Sequence, residues 1–252
     1  MPHTMVDVRT EDGVADAYLT RPDGDGPHPA VLMFMDAFGL RPRLFEMADR
    51  IAAHGYVVLV PNLLYRAGRA PLIDVSRLGD PDGRAEAFGK LMPLVRQLDT
   101  QRITGDTGAY LDLLAARDDV AAGPVAAVGY CMGATNALRA IEAFPERIGV
   151  LASFHGGRMV TDAPDSPHRR VGNVTGELYF AHADEDPSMP ADHIKTLETA
   201  LDEAGVTYRS EVYAGARHGF TMADTASYDE GAERRHWTNL LELLGRTLPP
   251  RS

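Results

Sequence analysis

The feature that most constrains this chain is a pentapeptide that places glycines around its single cysteine, Gly129-Tyr130-Cys131-Met132-Gly133. An apolar run over residues 125–128 leads into it, and a helical pattern over residues 134–144 follows it. A strand, a sharp Gly-x-nucleophile-x-Gly turn and a helix in this order present a reactive side chain at the edge of a sheet. The helix N-terminus favours a thiolate there. We therefore predict that Cys131 is a nucleophile, the alternative being an inert cysteine packed as a small hydrophobe.

Apolar runs that alternate with helical patterns predict the rest of the architecture. Residues 30–35 and 56–60 are continuously apolar, as expected for strands buried on both faces of a parallel sheet. Strands are predicted at residues 5–9, 14–20, 30–35, 56–60, 125–129, 148–154, 177–182 and 207–213, and helices at 41–54, 84–98, 105–117, 134–144, 191–204 and 228–244. The alternation predicts an α/β fold with a mostly parallel central sheet and helices on both faces.

The irregular stretch at about residues 61–100 is predicted to be an excursion over the active site of a single domain spanning residues 1–252. It carries several glycines and prolines and lacks the apolar residues needed for a core of its own. A chain of 252 residues is long enough to bury a sizeable core as one large domain.

Charge and cysteine content limit the partners and the compartment. The formal net charge is −11 and no basic cluster is present, so we expect neither nucleic acid nor an anionic membrane as a partner. One cysteine excludes an internal disulfide and is typical of a reducing compartment. Without an apolar leader or a spanning run, the expected location is the cytoplasm, as a monomer or homodimer. No metal or phosphate-loop motif is present, so we expect no cofactor and no metal.

Two further residues complete a predicted catalytic set with Cys131. A cysteine nucleophile needs a base, and the base needs an acid that orients it. Asp186 and His218 each follow a predicted strand, so the fold would bring both to the sheet edge that holds Cys131. The chain order of nucleophile, acid and base is the one that accompanies a nucleophile turn of this kind.

Other residues compete for the same roles. Asp184 and Glu185 share the loop of Asp186 and are alternative acids, although Asp186 is preferred by its place before Pro190. His155 and His182 also end predicted strands and are therefore alternative bases.

Five motifs together resemble the dienelactone hydrolase (carboxymethylenebutenolidase) family, which has the α/β-hydrolase fold. They are Gly129-Tyr130-Cys131-Met132-Gly133, Asp186-Pro187-Ser188-Met189-Pro190, Ala216-Arg217-His218-Gly219-Phe220, Asp36-Ala37-Phe38-Gly39 and Pro61-Asn62-Leu63-Leu64-Tyr65-Arg66. The resemblance extends from about Val14 to Leu244, which is nearly the whole chain. It identifies a family rather than a substrate.

The resemblance implies a Cys-His-Asp triad that hydrolyses a small-molecule ester or lactone through an acyl-enzyme. The backbone N–H groups of Met132 and Ala37 would form the oxyanion hole. Asp36 matches a family glutamate that contacts the resting thiol and helps to form the thiolate. Arg66 matches a family arginine that binds a substrate carboxylate.

Two departures from the family pattern bear on the substrate. Asp36 is one methylene shorter than the family glutamate, and Met222 replaces a second carboxylate-binding arginine four residues after His218. Phe38 and Met222 then predict a more apolar pocket, in which neutral aryl esters react at least as well as carboxylated lactones. A broad carboxylesterase or thioesterase is the nearest alternative activity, and a non-catalytic ligand-binding protein is the alternative of another class.

Overall fold

The structure is a computed structural model that describes residues 1–24 and 26–250. These residues form an eight-stranded sheet with helices on both faces. The strands are β1 (His3–Thr10), β2 (Gly13–Thr20), β3 (Ala30–Phe34), β4 (Val57–Pro61), β5 (Val125–Tyr130), β6 (Ile148–Phe154), β7 (Glu177–Ala183) and β8 (Tyr208–Tyr213). The helices are α1 (Pro42–Ala52), α2 (Pro81–Val95), α3 (Thr100–Ala115), α4 (Met132–Ala143), α5 (Ala191–Glu203) and α6 (Glu230–Thr247).

The sheet is mostly parallel, which confirms the predicted fold class. Its strand order is β1-β2-β4-β3-β5-β6-β7-β8. Strand β2 is antiparallel to both of its neighbours, β1 and β4, while the six strands from β4 to β8 in this order pair in parallel. Every residue of β3, β4 and β5 is buried, which explains why these strands read as unbroken apolar runs.

Helices α1 and α6 pack next to each other, with the guanidinium of Arg50 4.2 Å from the ring centre of Trp237. Helices α3 and α4 form a second pair, and α4 packs directly on β5 and β6. Helix α4 thus covers β5 and begins directly after Cys131, which follows that strand.

Two helix starts lie earlier in the chain than the apolar pattern predicts. Helix α2 begins at Pro81 because the Asp80 carboxylate accepts a hydrogen bond from the N–H of Gly83. Helix α3 begins at Thr100, where Asp99 caps the N–H of Arg102 in the same way. An aspartate cap followed by proline or a polar first turn fixes each start, whereas hydrophobic periodicity emerges only one turn later.

The parallel strands bring four loops to one edge of the sheet. Asp36 follows β3, Cys131 follows β5, Asp186 follows β7 and His218 follows β8. Because these four strands run in the same direction, their carboxyl ends face the same side, where α/β folds bind ligands.

Within the described part of the chain, no helix combines the length and the apolar character needed to cross a membrane.

Helix α4 buries a carboxyl group for which the described residues provide no hydrogen-bond partner. Glu142 is 3% exposed, and neither of its carboxylate oxygens accepts a hydrogen bond there. Burial raises the pKa of Glu142 to about 8, although the charges of Arg170 and Arg139 oppose the rise. The folded protein therefore retains this proton at pH values at which the unfolded chain has lost it.

Replacing Glu142 with glutamine is expected to change the pH dependence of stability. From pH 4.5, the ordinary value for this carboxyl group, to about pH 8, the unfolded state binds fewer protons than the folded state. The free energy of unfolding therefore falls as the pH rises. Glutamine stays neutral over this range. In urea unfolding, the free energy of unfolding of Glu142→Gln should therefore rise relative to that of the wild type by up to about 3 kcal/mol between pH 5 and pH 8.5. A difference that stays constant across this range would contradict the assignment.

Candidate active site

The backbone at Cys131 is a strained turn between β5 and α4. Cys131 has φ 56° and ψ −119°, a conformation that residues with a side chain rarely adopt. A Cβ at Gly129 would lie 2.4 Å from the carbonyl oxygen of Gly133, and one at Gly133 would lie 2.2 Å from that of Phe34. Both positions therefore require glycine, and the missing side chains allow the start of α4 to lie close to the ends of β5 and β3.

The thiol of Cys131 lies at the head of a chain of hydrogen bonds. His218 Nε2 is 3.0 Å from Cys131 Sγ, and His218 Nδ1 is 2.5 Å from Asp186 Oδ2. The Asp186 side chain is almost fully buried, while that of His218 is 30% exposed. The three side chains thus form one line that runs from a buried carboxylate to a partly accessible sulfur.

Asp186 is held in place by the residue two positions after it. Its Oδ1 accepts hydrogen bonds from the backbone N–H of Ser188 at 2.8 Å and from the Ser188 hydroxyl at 2.7 Å. Burial opposes ionisation of Asp186, but the hydrogen bonds from His218 and Ser188 outweigh it and lower its pKa. The carboxylate therefore stays charged and leaves Oδ2 for His218.

His218 is a stronger base in this site than a free histidine. Burial alone would lower its pKa, but the sulfur of Cys131 and the carboxylate of Asp186 outweigh burial and raise it. The geometry can therefore hold a proton on His218 while negative charge resides on the sulfur and on Asp186.

The alternative acids and bases from the sequence have other partners. The carboxylate of Asp184 accepts the backbone N–H groups of Glu185 and Gly215, as expected for a turn former. His155 is fully buried, with Nε2 2.8 Å from the Thr221 hydroxyl and its ring edge against His218. Burial lowers the pKa of His182 to about 4, and its ring stacks on Phe180.

The turn at residues 129–133, here called the elbow, contains one of the two expected oxyanion donors, and the loop after β3 contains the other. Met132 is the first residue of α4, so its N–H has no partner within the helix. Ala37 stands in the loop that follows β3. Within residues 1–24 and 26–250, neither backbone N–H donates a hydrogen bond. Both N–H groups are therefore unpaired within these residues.

Asp36 does not contact the thiol, which corrects the expectation drawn from the family resemblance. Both of its oxygens bind the guanidinium of Arg41, at 2.7 and 2.9 Å, and Oδ1 also accepts the N–H of Phe38. Both carboxylate oxygens of Asp36 are therefore engaged by Arg41. His218 is thus the partner that the described structure gives to the thiol.

Arg66 has ionic partners within the protein, which disfavours its expected role with a substrate carboxylate. Its terminal nitrogens bind Asp106 in a bidentate pair at 2.7 and 2.9 Å, and Nε binds Asp12 at 2.8 Å. Its guanidinium also lies 4.5 Å from the ring centre of Tyr65. Arg66 therefore links the turn between β1 and β2, which contains Asp12, to helix α3, which contains Asp106.

The expected apolar lining is only partly accessible. Phe38 is 7% exposed and packs at the boundary with α2. Met222 is buried, and its sulfur lies 3.3 Å from Arg41 Nη2. Met222 thus lies against a buried cation.

Helix α2 supplies two residues that sequence reasoning missed. The ring of Phe88 packs edge-on against Phe38 at 5.0 Å, next to Ala37. One turn earlier, Arg84 lies 5.9 Å from the Phe38 ring centre and donates to the Ser227 hydroxyl at 2.9 Å. Among the described residues Arg84 has no carboxylate partner. The Arg-x-x-x-Phe spacing on a capped helix is the signal that could have identified this pair.

Residues 1–24 and 26–250 contain no group of three or more His, Cys, Asp or Glu side chains that could hold a metal ion.

Comparison with known proteins gives matches along almost the whole chain. The sequence profile of the Dienelactone hydrolase family matches residues 15–248. The carboxymethylenebutenolidase homolog of Mus musculus is 28% identical over 236 residues, which cover 91% of this chain and 86% of that protein. A Bradyrhizobium sp. protein named "Probable 2-oxo-3-(5-oxofuran-2-ylidene)propanoate lactonase" is 27% identical over 245 residues, covering 95% and 92%. The solved structure m3DLH superposes with a TM-score of 0.80 at 26% identity and covers 98% of both chains.

Proposed function

The chain belongs to the dienelactone hydrolase family, and on that premise we propose that it hydrolyses carboxylic esters or lactones through an acyl-enzyme on Cys131. The observation that carries the proposal is the unbroken line from Asp186 through His218 to the sulfur, with contacts of 2.5 and 3.0 Å. A nucleophile, a base and an orienting acid in hydrogen-bond reach are the parts that acyl transfer needs.

In the first half of the reaction, the Cys131 thiolate attacks the carbonyl carbon of the substrate. Its proton already resides on His218, whose raised pKa favours the thiolate–imidazolium pair. The negative charge that develops on the carbonyl oxygen is bound by the N–H groups of Met132 and Ala37. His218 then gives its Nε2 proton to the departing alkoxide, and a thioester to Cys131 remains.

In the second half, a water molecule takes the place of the alcohol. His218 Nε2 accepts a proton from this water as it attacks the thioester carbon, and the same N–H groups bind the new oxyanion. Collapse of the intermediate releases the carboxylic acid and returns the thiolate with protonated His218. Throughout both halves, Asp186 holds Nδ1 and keeps the ring oriented toward the sulfur.

A substrate panel tests the proposal. The wild-type protein should hydrolyse aryl esters or lactones, and treatment with iodoacetamide at its single cysteine should abolish that turnover. Faster turnover of thioesters than of esters and lactones would assign the thioesterase alternative. A reactive Cys131 with no turnover across the panel would instead favour a ligand-binding protein.

We also propose that Arg84, rather than Arg66, contacts an anionic group of the substrate. Its guanidinium adjoins the Phe38 ring, and the described residues give it a hydroxyl partner but no carboxylate. Charge-assisted hydrogen bonds to a carboxylate are the strongest available to such a group. The family pattern has two arginines that bind a substrate carboxylate, whereas Arg84 would act alone here. We therefore expect the site to accept neutral esters as well.

The Arg84→Gln variant should raise KM about tenfold for 4-nitrophenyl hemisuccinate and change KM little for 4-nitrophenyl butyrate. The two esters differ in the terminal carboxylate, so the ratio of their KM values isolates the charge. Arg66→Gln is the matched control and should leave this ratio unchanged. An equal effect of Arg84→Gln on both esters, or a selective effect of Arg66→Gln, would reverse the assignment.

A further inference from the structure

Among the described residues, Arg41 is the largest whose side chain is fully buried. Its side chain has no exposed area, and yet every guanidinium nitrogen makes a polar contact. Nη1 and Nη2 bind the two oxygens of Asp36, and Nη1 also donates to the Gly39 carbonyl at 3.2 Å. Nε and Nη2 bind Asp224 at 2.5 and 3.2 Å, and Nη2 also touches the sulfur of Met222.

Burying a guanidinium is costly unless it is paired and hydrogen-bonded. Burial would lower the pKa of Arg41, but the two aspartates outweigh burial and raise it. The side chain therefore remains charged in the fold. Its charge is fully used by Asp36 and Asp224, so Arg41 is not free to bind a substrate anion.

The partners of Arg41 belong to two loops, one that follows β3 and one that follows β8. Asp36 and Gly39 flank Ala37, whose N–H is a proposed oxyanion donor. Met222 and Asp224 follow His218 by four and six residues. Arg43 adds a second link, since its Nη2 donates to the Thr221 carbonyl at 2.7 Å.

The loop that carries Ala37 is buried, but apart from its contacts with Arg41 it makes few hydrogen bonds. Within the loop, the Asp36 carboxylate accepts the N–H of Phe38, and the N–H of Gly39 donates to the Asp36 carbonyl. Arg41 donates to the Asp36 carboxylate and to the Gly39 carbonyl. His218, by contrast, is fixed separately by Asp186 and by the ring edge of His155. Loss of the Arg41 contacts should therefore loosen the oxyanion donor more than the triad.

We propose that Arg41 is a positioning residue that clamps the loop 36–40 to the loop 219–225 and thereby fixes the Ala37 N–H relative to Cys131. The inference rests on the proposed hydrolase function and adds to it the element that preorganises one oxyanion donor. Preorganised donors act because they need no rearrangement when charge develops on the carbonyl oxygen.

Asp224 gives access to the clamp without touching the proposed catalytic groups. Its side chain is 29% exposed, so replacing it does not leave a fully buried cavity, whereas replacing Arg41 would strand the buried Asp36 carboxylate. The variants Asp224→Asn and Asp224→Ala remove one of the two charges that hold Arg41. Asp119→Asn is the matched control, because Asp119 is 22% exposed and binds Arg117 in a similar bidentate pair at 2.7 Å.

Two readouts separate positioning from a general structural effect. Turnover of 4-nitrophenyl butyrate uses the oxyanion hole, whereas alkylation of Cys131 by iodoacetamide uses the thiolate alone. We expect both Asp224 variants to lose about tenfold or more in kcat while the rate of alkylation and its pH profile stay within about twofold of wild type. Asp119→Asn should change neither measurement.

Unchanged kcat in Asp224→Ala would overturn the clamp, and so would a parallel loss of turnover and alkylation, which would indicate a structural role. None of these outcomes for the Asp224 variants changes the separate measurement of whether wild-type turnover depends on Cys131. A failed clamp is thus distinct from a failed hydrolase proposal.

Discussion

The Cys131→Ala protein is expected to lose about four decades or more in kcat against every ester or lactone that the wild type hydrolyses. Alanine removes the only sulfur nucleophile of the chain and leaves His218 without its partner at 3.0 Å. The remaining N–H groups and binding contacts can supply only the residual catalysis that a site without its nucleophile retains. Initial rates on a 4-nitrophenyl ester measure this loss directly.

Cys131→Ser is the companion variant to this experiment. Serine keeps the shape of the elbow but has a far weaker tendency to ionise, so the ion pair with His218 does not form. We expect it to retain more activity than alanine and at least about a hundredfold less than wild type. Alanine activity within about tenfold of wild type would show that the chemistry takes place elsewhere.

The second large effect is expected at His218. His218→Gln should reduce kcat by about three decades, since the site loses the group that moves protons in both halves of the reaction. Asp186→Asn should cost somewhat less, because the base remains but its orientation is lost. Asp184→Asn should be close to wild type, since Asp184 serves a turn.

The alkylation of Cys131 gives this prediction a pH dependence. The raised pKa of His218 favours the imidazolium across neutral pH, and an imidazolium beside a sulfur stabilises a thiolate. Wild-type alkylation should therefore vary little from pH 6.5 to pH 8.5. In His218→Gln the rate should climb with pH through the range of an ordinary thiol, about 8.5. Identical profiles for the two proteins would show that His218 does not hold the proton.

Local sequence patterns predicted the parts of the site that depend on strand ends. The elbow at Cys131 could be read from two glycines whose positions tolerate no Cβ. Asp186 and His218 could be placed because parallel strands deliver their loops to one edge. These inferences need only the chain direction of each strand, which apolar runs alternating with helices indicate well.

Side-chain partners that are distant in sequence could not be read in this way. Arg41 pairs with Asp224, 183 residues away, and also binds the Asp36 carboxylate that was expected at the thiol. Arg66 lies in a motif of the family, yet Asp106, 40 residues further on, neutralises it. Which carboxylate meets which arginine depends on how the loops pack in space, and no local periodicity records it.

A covalent acyl group at Cys131 is the intermediate on which the proposed mechanism depends most directly. The measurement is rapid acid quenching of the wild-type protein during its burst with 4-nitrophenyl butyrate, followed by intact mass analysis and peptide mapping. We predict a stoichiometric release of nitrophenolate and one butyryl group on the peptide that contains Cys131. A butyryl group on another residue, or a burst with no adduct at Cys131, would contradict it.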